Sequence, residues 1–167
     1  MFSKRLTLGL ASIALAGAAT AASATTLEKL DFNQIVDRAD ACVHGVVSNV
    51  AYEQVDGAVY TLTTFTVSEA AFGDPGATVT VRTAGGNASN FAVPAASVTA
   101  GAPRFFTGGS AILFLEEGAN AYEIVGFSQG VFNVGGSGAA ATVSLPGATD
   151  GRVAVGEAMD LIRGQRN

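Results

Sequence analysis

Residue periodicity predicts a mainly β domain of seven or eight strands with one short helix at each end. Three observations carry that prediction. From residue 41 to 145, β-branched and other apolar residues alternate or run in short blocks separated by Gly, Pro, Asn and Asp. Helical spacing is confined to two flanking stretches, residues 32–39 and 155–163. The chain has 167 residues, 49% hydrophobic and 14% charged, which suits one ordinary core and is too apolar for intrinsic disorder. A lone cysteine cannot pair within the chain, so a disulfide-stapled miniprotein is excluded.

The first 24 residues, MFSKRLTLGLASIALAGAATAASA, read as an address. Lys4 and Arg5 give a positive start, residues 6–17 an apolar stretch, and Ala22-Ser23-Ala24 an A-x-A cleavage site, the layout of a signal peptide. The rival reading is an uncleaved membrane anchor. The apolar run falls short of the ~20 residues a membrane span needs. No cysteine near the site offers lipid attachment. Cleavage after Ala24 is expected to leave a single domain, residues 25–167, secreted or periplasmic and without stable membrane insertion. Loss of Lys4 and Arg5 leaves seven Lys and Arg against fourteen Asp and Glu, a formal charge of −7. Arg38, Arg82, Arg104, Arg152, Arg163 and Arg166 are scattered singly, so a phosphate backbone is not an expected partner.

Asp31-Phe32-Asn33-Gln34 has the form of a capping box, and Phe32, Ile35, Val36 and Ala39 follow at helical spacing; a helix is predicted over 32–39. Residues 42–52 predict a strand with Val43, Gly45 and Val47 on one face and Cys42, His44, Val46 and Ser48 on the other. Asp56-Gly57 predicts a hairpin turn into a Thr- and Val-rich return strand, residues 59–71. Gly73-Asp74-Pro75-Gly76 breaks the chain before a strand at 78–83. Residues 87–110 read as a long connection with edge pieces at 97–99 and 104–106. Residues 111–115 are almost uniformly apolar, as in a strand covered on both faces. Return strands are predicted at 121–126 and 131–134, an edge strand at 142–145, and a flexible loop at Gly135-Gly136-Ser137-Gly138. Val155, Ala158, Met159 and Ile162 mark a second helix over 155–163, with Gly164 as its stop.

Four patterns bear on chemistry. Gly126-Phe127-Ser128-Gln129-Gly130 matches the G-x-S-x-G of serine hydrolases, which needs a helix after the serine and a later histidine. A strand follows instead, and the single histidine, His44, comes earlier, so Ser128 reads as a turn residue. Cys42 and His44 share a strand face, but zinc wants three or four ligands; an exposed or lightly packed His44 and a buried Cys42 are expected, with no metal. Glu116, Glu117 and Glu123 flank a hairpin, and Asp37 and Asp40 end a helix; paired carboxylates could serve glycoside hydrolysis only at a defined separation, and solvated carboxylates are the plainer reading. No phosphate-binding glycine loop is present, and no cofactor is expected. Asn87-Ala88-Ser89 is a formal glycosylation sequon.

Asp40-Ala41-Cys42-Val43-His44-Gly45-Val46-Val47 resembles the opening strand of netrin-like domains, the barrel of the tissue inhibitors of metalloproteinases. Residues 60–73, ending Ala71-Phe72-Gly73, resemble its next strand. Residues 111–126, with Tyr122-Glu123-Ile124-Val125-Gly126, resemble its later hairpin. Gly101-Ala102-Pro103-Arg104-Phe105 is similar to a Gly-x-Pro-x-Phe segment of uncharacterised secreted bacterial proteins with the same pattern. The resemblance spans residues 39–134 and implies an OB-like Greek-key barrel with helices at its ends. Those inhibitors chelate zinc through an N-terminal cysteine. Here the mature start would be Thr25 and the framework disulfides are missing, so zinc-directed inhibition does not follow.

The expected function is that of an exported, non-enzymatic binding module whose partner is another exported or surface protein. The loops from Ala84 to Ala92 and from Gly135 to Ala141 are its candidate contact surfaces. The alternatives are a small exported hydrolase using carboxylates or Ser128, and a structural component of a secreted matrix that self-associates through a strand edge.

Overall fold

The structure is a computed structural model that describes residues 27–89, 95–146 and 151–166; the expected signal peptide and its cleavage site lie outside them, as do residues 90–92 of the first candidate loop. Helix α1 (Phe32–Arg38) opens with the expected capping box. The Asp31 carboxylate accepts from the Gln34 amide at 2.8 Å, and the Gln34 side chain accepts from the Asp31 amide at 2.8 Å. Ile35 and Val36 bury its apolar face. Ala39 is extended, and the Asp40 amide donates to the Leu115 carbonyl, which turns the chain into the sheet.

Strands β1 (Ala41–Val55) and β2 (Ala58–Phe72) form one long antiparallel hairpin. Asp56 and Gly57 both have positive φ, 50° and 82°, as a two-residue hairpin turn requires. Three register shifts between Cys42 and Asn49 bend β1. Strand β3 (Thr78–Ala84) pairs with β2. A separate small hairpin follows, β4 (Gly86–Ala88) with β5 (Ala95–Ser97). Strand β6 (Ser110–Glu116) pairs with β1 along one edge. Its other edge is shared end to end by β7 (Glu123–Ile124) and β8 (Val131–Gly135). A 3-10 turn (Gly138–Ala140) leads to β9 (Thr142–Val143), which pairs with β8 and β10 (Val153–Ala154), and helix α2 (Val155–Arg166) closes the fold.

The result is mainly β: an eight-stranded antiparallel sheet in the order β10-β9-β8-β6-β1-β2-β3, with β7 beside β6, and two helices. Its ladders leave two ends, β10 and β3. At the β3 end, Tyr122 forms a bridge to Val81: its amide donates to the Thr80 carbonyl and its carbonyl accepts from the Arg82 amide, both at 2.9 Å.

Apolar residues cover both faces of the sheet. Cys42, Ile112 and Phe114 point to one side and pack with Ile35, Val36, Val155, Met159 and Ile162 of the helices. Val43, Val47, Phe65, Val79, Val81, Leu113 and Leu115 fill the other side. This explains why β6 lacks alternation. Each fully buried Leu, Ile or Phe contributes about 1.5–3 kcal/mol relative to exposure, so residues 111–115 anchor both cores.

Five expectations are corrected. Residues 104–106 form no strand, because Phe105 turns inward onto Phe65 and the neighbouring Gly108 and Gly109 bond to Val47. The piece at 97–99 is Ala95–Ser97, paired with half of the loop expected from Ala84. The return strand at 121–126 shrinks to Glu123–Ile124, since Tyr122 is engaged by β3 and Gly126 and Phe127 adopt positive φ, 60° and 67°. The edge strand at 142–145 is limited to Thr142–Val143, and its partner β10 carried no alternation to announce it. Helix α2 runs through Gly164 to Arg166, whose guanidinium donates to the Val36 and Ala39 carbonyls at 2.7 and 2.9 Å and lies over the Phe72 ring. That anchorage extends the helix beyond a residue of poor helical propensity.

Candidate functional site

Residues 98–109 run between the β4–β5 hairpin and β6 as a ridge. Pro103 fixes φ ahead of Arg104, and Gly108, with φ 83°, turns the chain into β6. Phe105 anchors the ridge: its ring meets Phe65 edge-on, with centroids 5.1 Å apart. With Phe105 turned inward, Phe106 is left outside at 74% exposure. Val98, at the other end of the ridge, is 77% exposed.

A cleft lies on each side. The first, about 280 Å³, is lined by Tyr52, Gly85, Gly86, Asn87, Val98 and Arg104, among others. The second, about 270 Å³, is lined by Val47, Arg104, Phe105, Phe106, Asn133 and Gly136, among others. Arg104 and Phe105 border both. The two loops singled out from sequence therefore flank one ridge: Ala84–Asn87 on the first cleft, Gly136 on the second. Gly86 is required there by packing as well as conformation. Its φ is 148°, and a Cβ would stand 2.7 Å from Tyr52 Cδ1 and Thr61 Oγ1.

A second constellation crosses β6, β1 and β2. His44 Nε2 lies 2.9 Å from Ser110 Oγ, and Glu69 is the register partner of His44 on its other flank. Glu69 in turn accepts from Arg163 of α2 at 2.8 Å. Burial lowers the His44 pKa below its ordinary value, and the Glu69 charge partly offsets that. The imidazole is therefore neutral at pH 7, a state in which one ring nitrogen can accept a proton.

The other residues weighed from sequence are dispersed. Ser128 sits in the turn that separates β7 from β8, two segments on the same edge of β6, so strand stands on both sides of it. Its neighbour Gln129 holds the N-terminal segment, accepting from the Leu30 amide and donating to the Glu28 carbonyl, each at 2.8 Å. Cys42 is fully buried in the helix-side core, which pushes its thiol well above the usual range. Asp40 accepts from the Glu117 amide at 2.8 Å, Glu123 pairs with Arg82 at 3.0 Å, and Glu116 is Glu123's register partner. Asp37 borders a separate shallow hollow beside α2. Asn87 is exposed, its Oδ1 accepting from the Ser89 amide at 3.1 Å. Among the described residues no three His, Cys, Asp or Glu side chains gather as a metal site, and no helix is long and apolar enough to cross a membrane.

Sequence reasoning missed two arrangements. The Ser110–His44 pair spans 66 positions and rests on sheet register, which no local pattern encodes. The ridge carried a signal: Pro103-Arg104-Phe105-Phe106 before Gly108-Gly109 places two aromatics among turn residues, where only one can face inward. No family model, curated protein or solved structure matches this chain.

Proposed function

We propose that this chain is an exported, non-enzymatic binding module that engages another exported or surface protein through the Arg104–Phe106 ridge and its two clefts. The observation that carries this is the exposure of Phe106 and Val98 on a ridge whose base is locked by the Phe65–Phe105 contact. Large apolar side chains held outward beside concave surfaces favour burial against a partner, and Tyr, Phe and Arg are the types enriched at interface centres. The module reading also draws on the closed-barrel reading of the fold. The Tyr122 bridge joins β3 to the chain entering β7, and β7 pairs with β6. This supports an OB-like barrel around the Phe65 core, in keeping with the netrin-like resemblance, with the ridge at its rim. Export follows from residues 1–24, removed after Ala24. A photo-crosslinking residue at position 106, compared with one at the exposed Leu161 of α2, tests the assignment in the exported fraction. A discrete adduct at position 106 alone supports it; equal or no adducts at the two positions refute it.

A second reading, a small hydrolase, is favoured by one observation, the 2.9 Å contact between His44 Nε2 and Ser110 Oγ. In that reading Ser110, rather than Ser128, is the nucleophile. Its hydroxyl donates to Nε2, and Glu69 stabilises the imidazolium that forms. A fluorophosphonate probe, whose fluoride leaves as the serine oxygen bonds to phosphorus, decides it. Mass-spectrometric labelling at Ser110 that is lost in His44→Gln would favour the hydrolase; an unlabelled Ser110 removes it.

A further inference from the structure

We infer that the ridge takes an extended apolar segment of a partner protein carrying one aspartate or glutamate, whose carboxylate is held by the Arg104 guanidinium between the two clefts. This rests on the binding-module reading and specifies its ligand chemistry.

The first support is the state of Arg104. Each of the other five described arginines is engaged. Arg38 pairs with Glu28, Arg82 with Glu53 and Glu123, and Arg163 with Glu69 and Asp160. Arg152 donates to Thr142, and Arg166 to carbonyls of the α1 region. Arg104 has no hydrogen bond, ion pair or ring contact among the described residues, and it is exposed on the ridge.

The second support is what surrounds it. Among the described residues no carboxylate lines either cleft. From Pro75 to Leu115 the chain has no Asp or Glu, although the chain as a whole is acidic, at −5. Glu123, which shares an adjoining cleft with Pro103, is already committed to Arg82. Among the described residues, this surface of an acidic protein thus carries a guanidinium without a partner and no carboxylate in either cleft.

The third support is geometric. The guanidinium fork matches a carboxylate with two parallel N–H···O bonds. In open water such a pair is weak. Here Arg104 shares one cleft with Val98 and Tyr52 and the other with Phe106, so an apolar segment laid over the ridge would exclude water from the pair. An anionic bilayer fits poorly, since membrane attraction needs a cluster of basic residues and this surface has one.

Two peptides of identical apolar sequence, one with a central aspartate and one with asparagine, test the inference against isotope-labelled protein by NMR titration. Vesicles of mixed phosphatidylglycerol and phosphatidylcholine serve as the lipid arm. The aspartate peptide is expected to shift the Arg104 Nε–H and the Phe105 and Phe106 amide signals and to bind about tenfold more tightly than its partner. Arg104→Gln should abolish that difference, while Phe106→Ala should weaken both peptides. Equal binding of both peptides at the ridge overturns the carboxylate assignment and leaves the binding surface standing. Failure of both peptides at millimolar concentration, shifts away from residues 98–109, or a stronger response to vesicles also overturns it. In those cases the crosslink at position 106 decides separately whether the surface reading survives.

Discussion

Phe105 and Phe65 meet edge-on at 5.1 Å, with ring planes 83° apart, while the next side chain, Phe106, stands 74% exposed. Phe105→Ala should cost about 2–4 kcal/mol, because it removes a largely covered ring against a fully buried one. Phe106→Ala should change stability by less than about 0.5 kcal/mol, as expected of a surface group. Urea denaturation of the two variants checks the contrast. Equal losses would mean that Phe106 is packed in solution.

His44 gives the fold a pH dependence with a definite sign. Its folded-state pKa lies below the ordinary 6.5, so the folded state resists protonation. Its contribution to stability is complete above pH 6.5 and is lost as pH falls through the lowered folded value. The difference in stability between the native protein and His44→Gln should therefore be flat above pH 6.5 and shrink or reverse on acidification. Denaturation across this range checks the slope, and the ring-proton titration should have its midpoint below 6.5.

Two glycines should respond in opposite directions. Gly164 lies inside α2 with open space where a Cβ would go, so Gly164→Ala should raise stability by about 0.5–1 kcal/mol. Gly126 has φ 60°, and a Cβ there would stand 2.8 Å from Leu30 Cδ1. Gly126→Ala should cost about 1–3 kcal/mol. Thermal melts of both variants check the pair.

Cys42 should be silent toward thiol reagents in the native state and react fully once the protein unfolds. It is wholly buried and its thiol resists ionisation. Native labelling at a rate near that of a free thiol would show that the helix-side core opens readily.

Much of the fold was legible from local pattern. Asp31 and Gln34 announced α1, Asp56-Gly57 the long hairpin, and the apolar run 111–115 a strand covered on both faces; each signal is complete within a few residues. The tertiary contacts were not. Arg166 reaches Val36 and Ala39 across more than 120 positions, a tie at the end of α2 beyond Gly164. Tyr122 pairs with β3 rather than extending β7, a contact between residues some forty positions apart. The same holds for the site. The two flanking loops are visible as Gly-rich turns, but the ridge between them reads from sequence as a long connection with edge pieces, because Phe105 contacting Phe65 is a long-range fact. His44 was recognised as a strand residue without its partner Ser110.

The most direct test is the dissociation constant of the partner captured at position 106, measured by calorimetry for the native protein and for Phe106→Ala. Loss of a central exposed aromatic at an interface should weaken binding at least tenfold while leaving the unfolding curve unchanged. An unaltered constant would place the working surface elsewhere on the molecule.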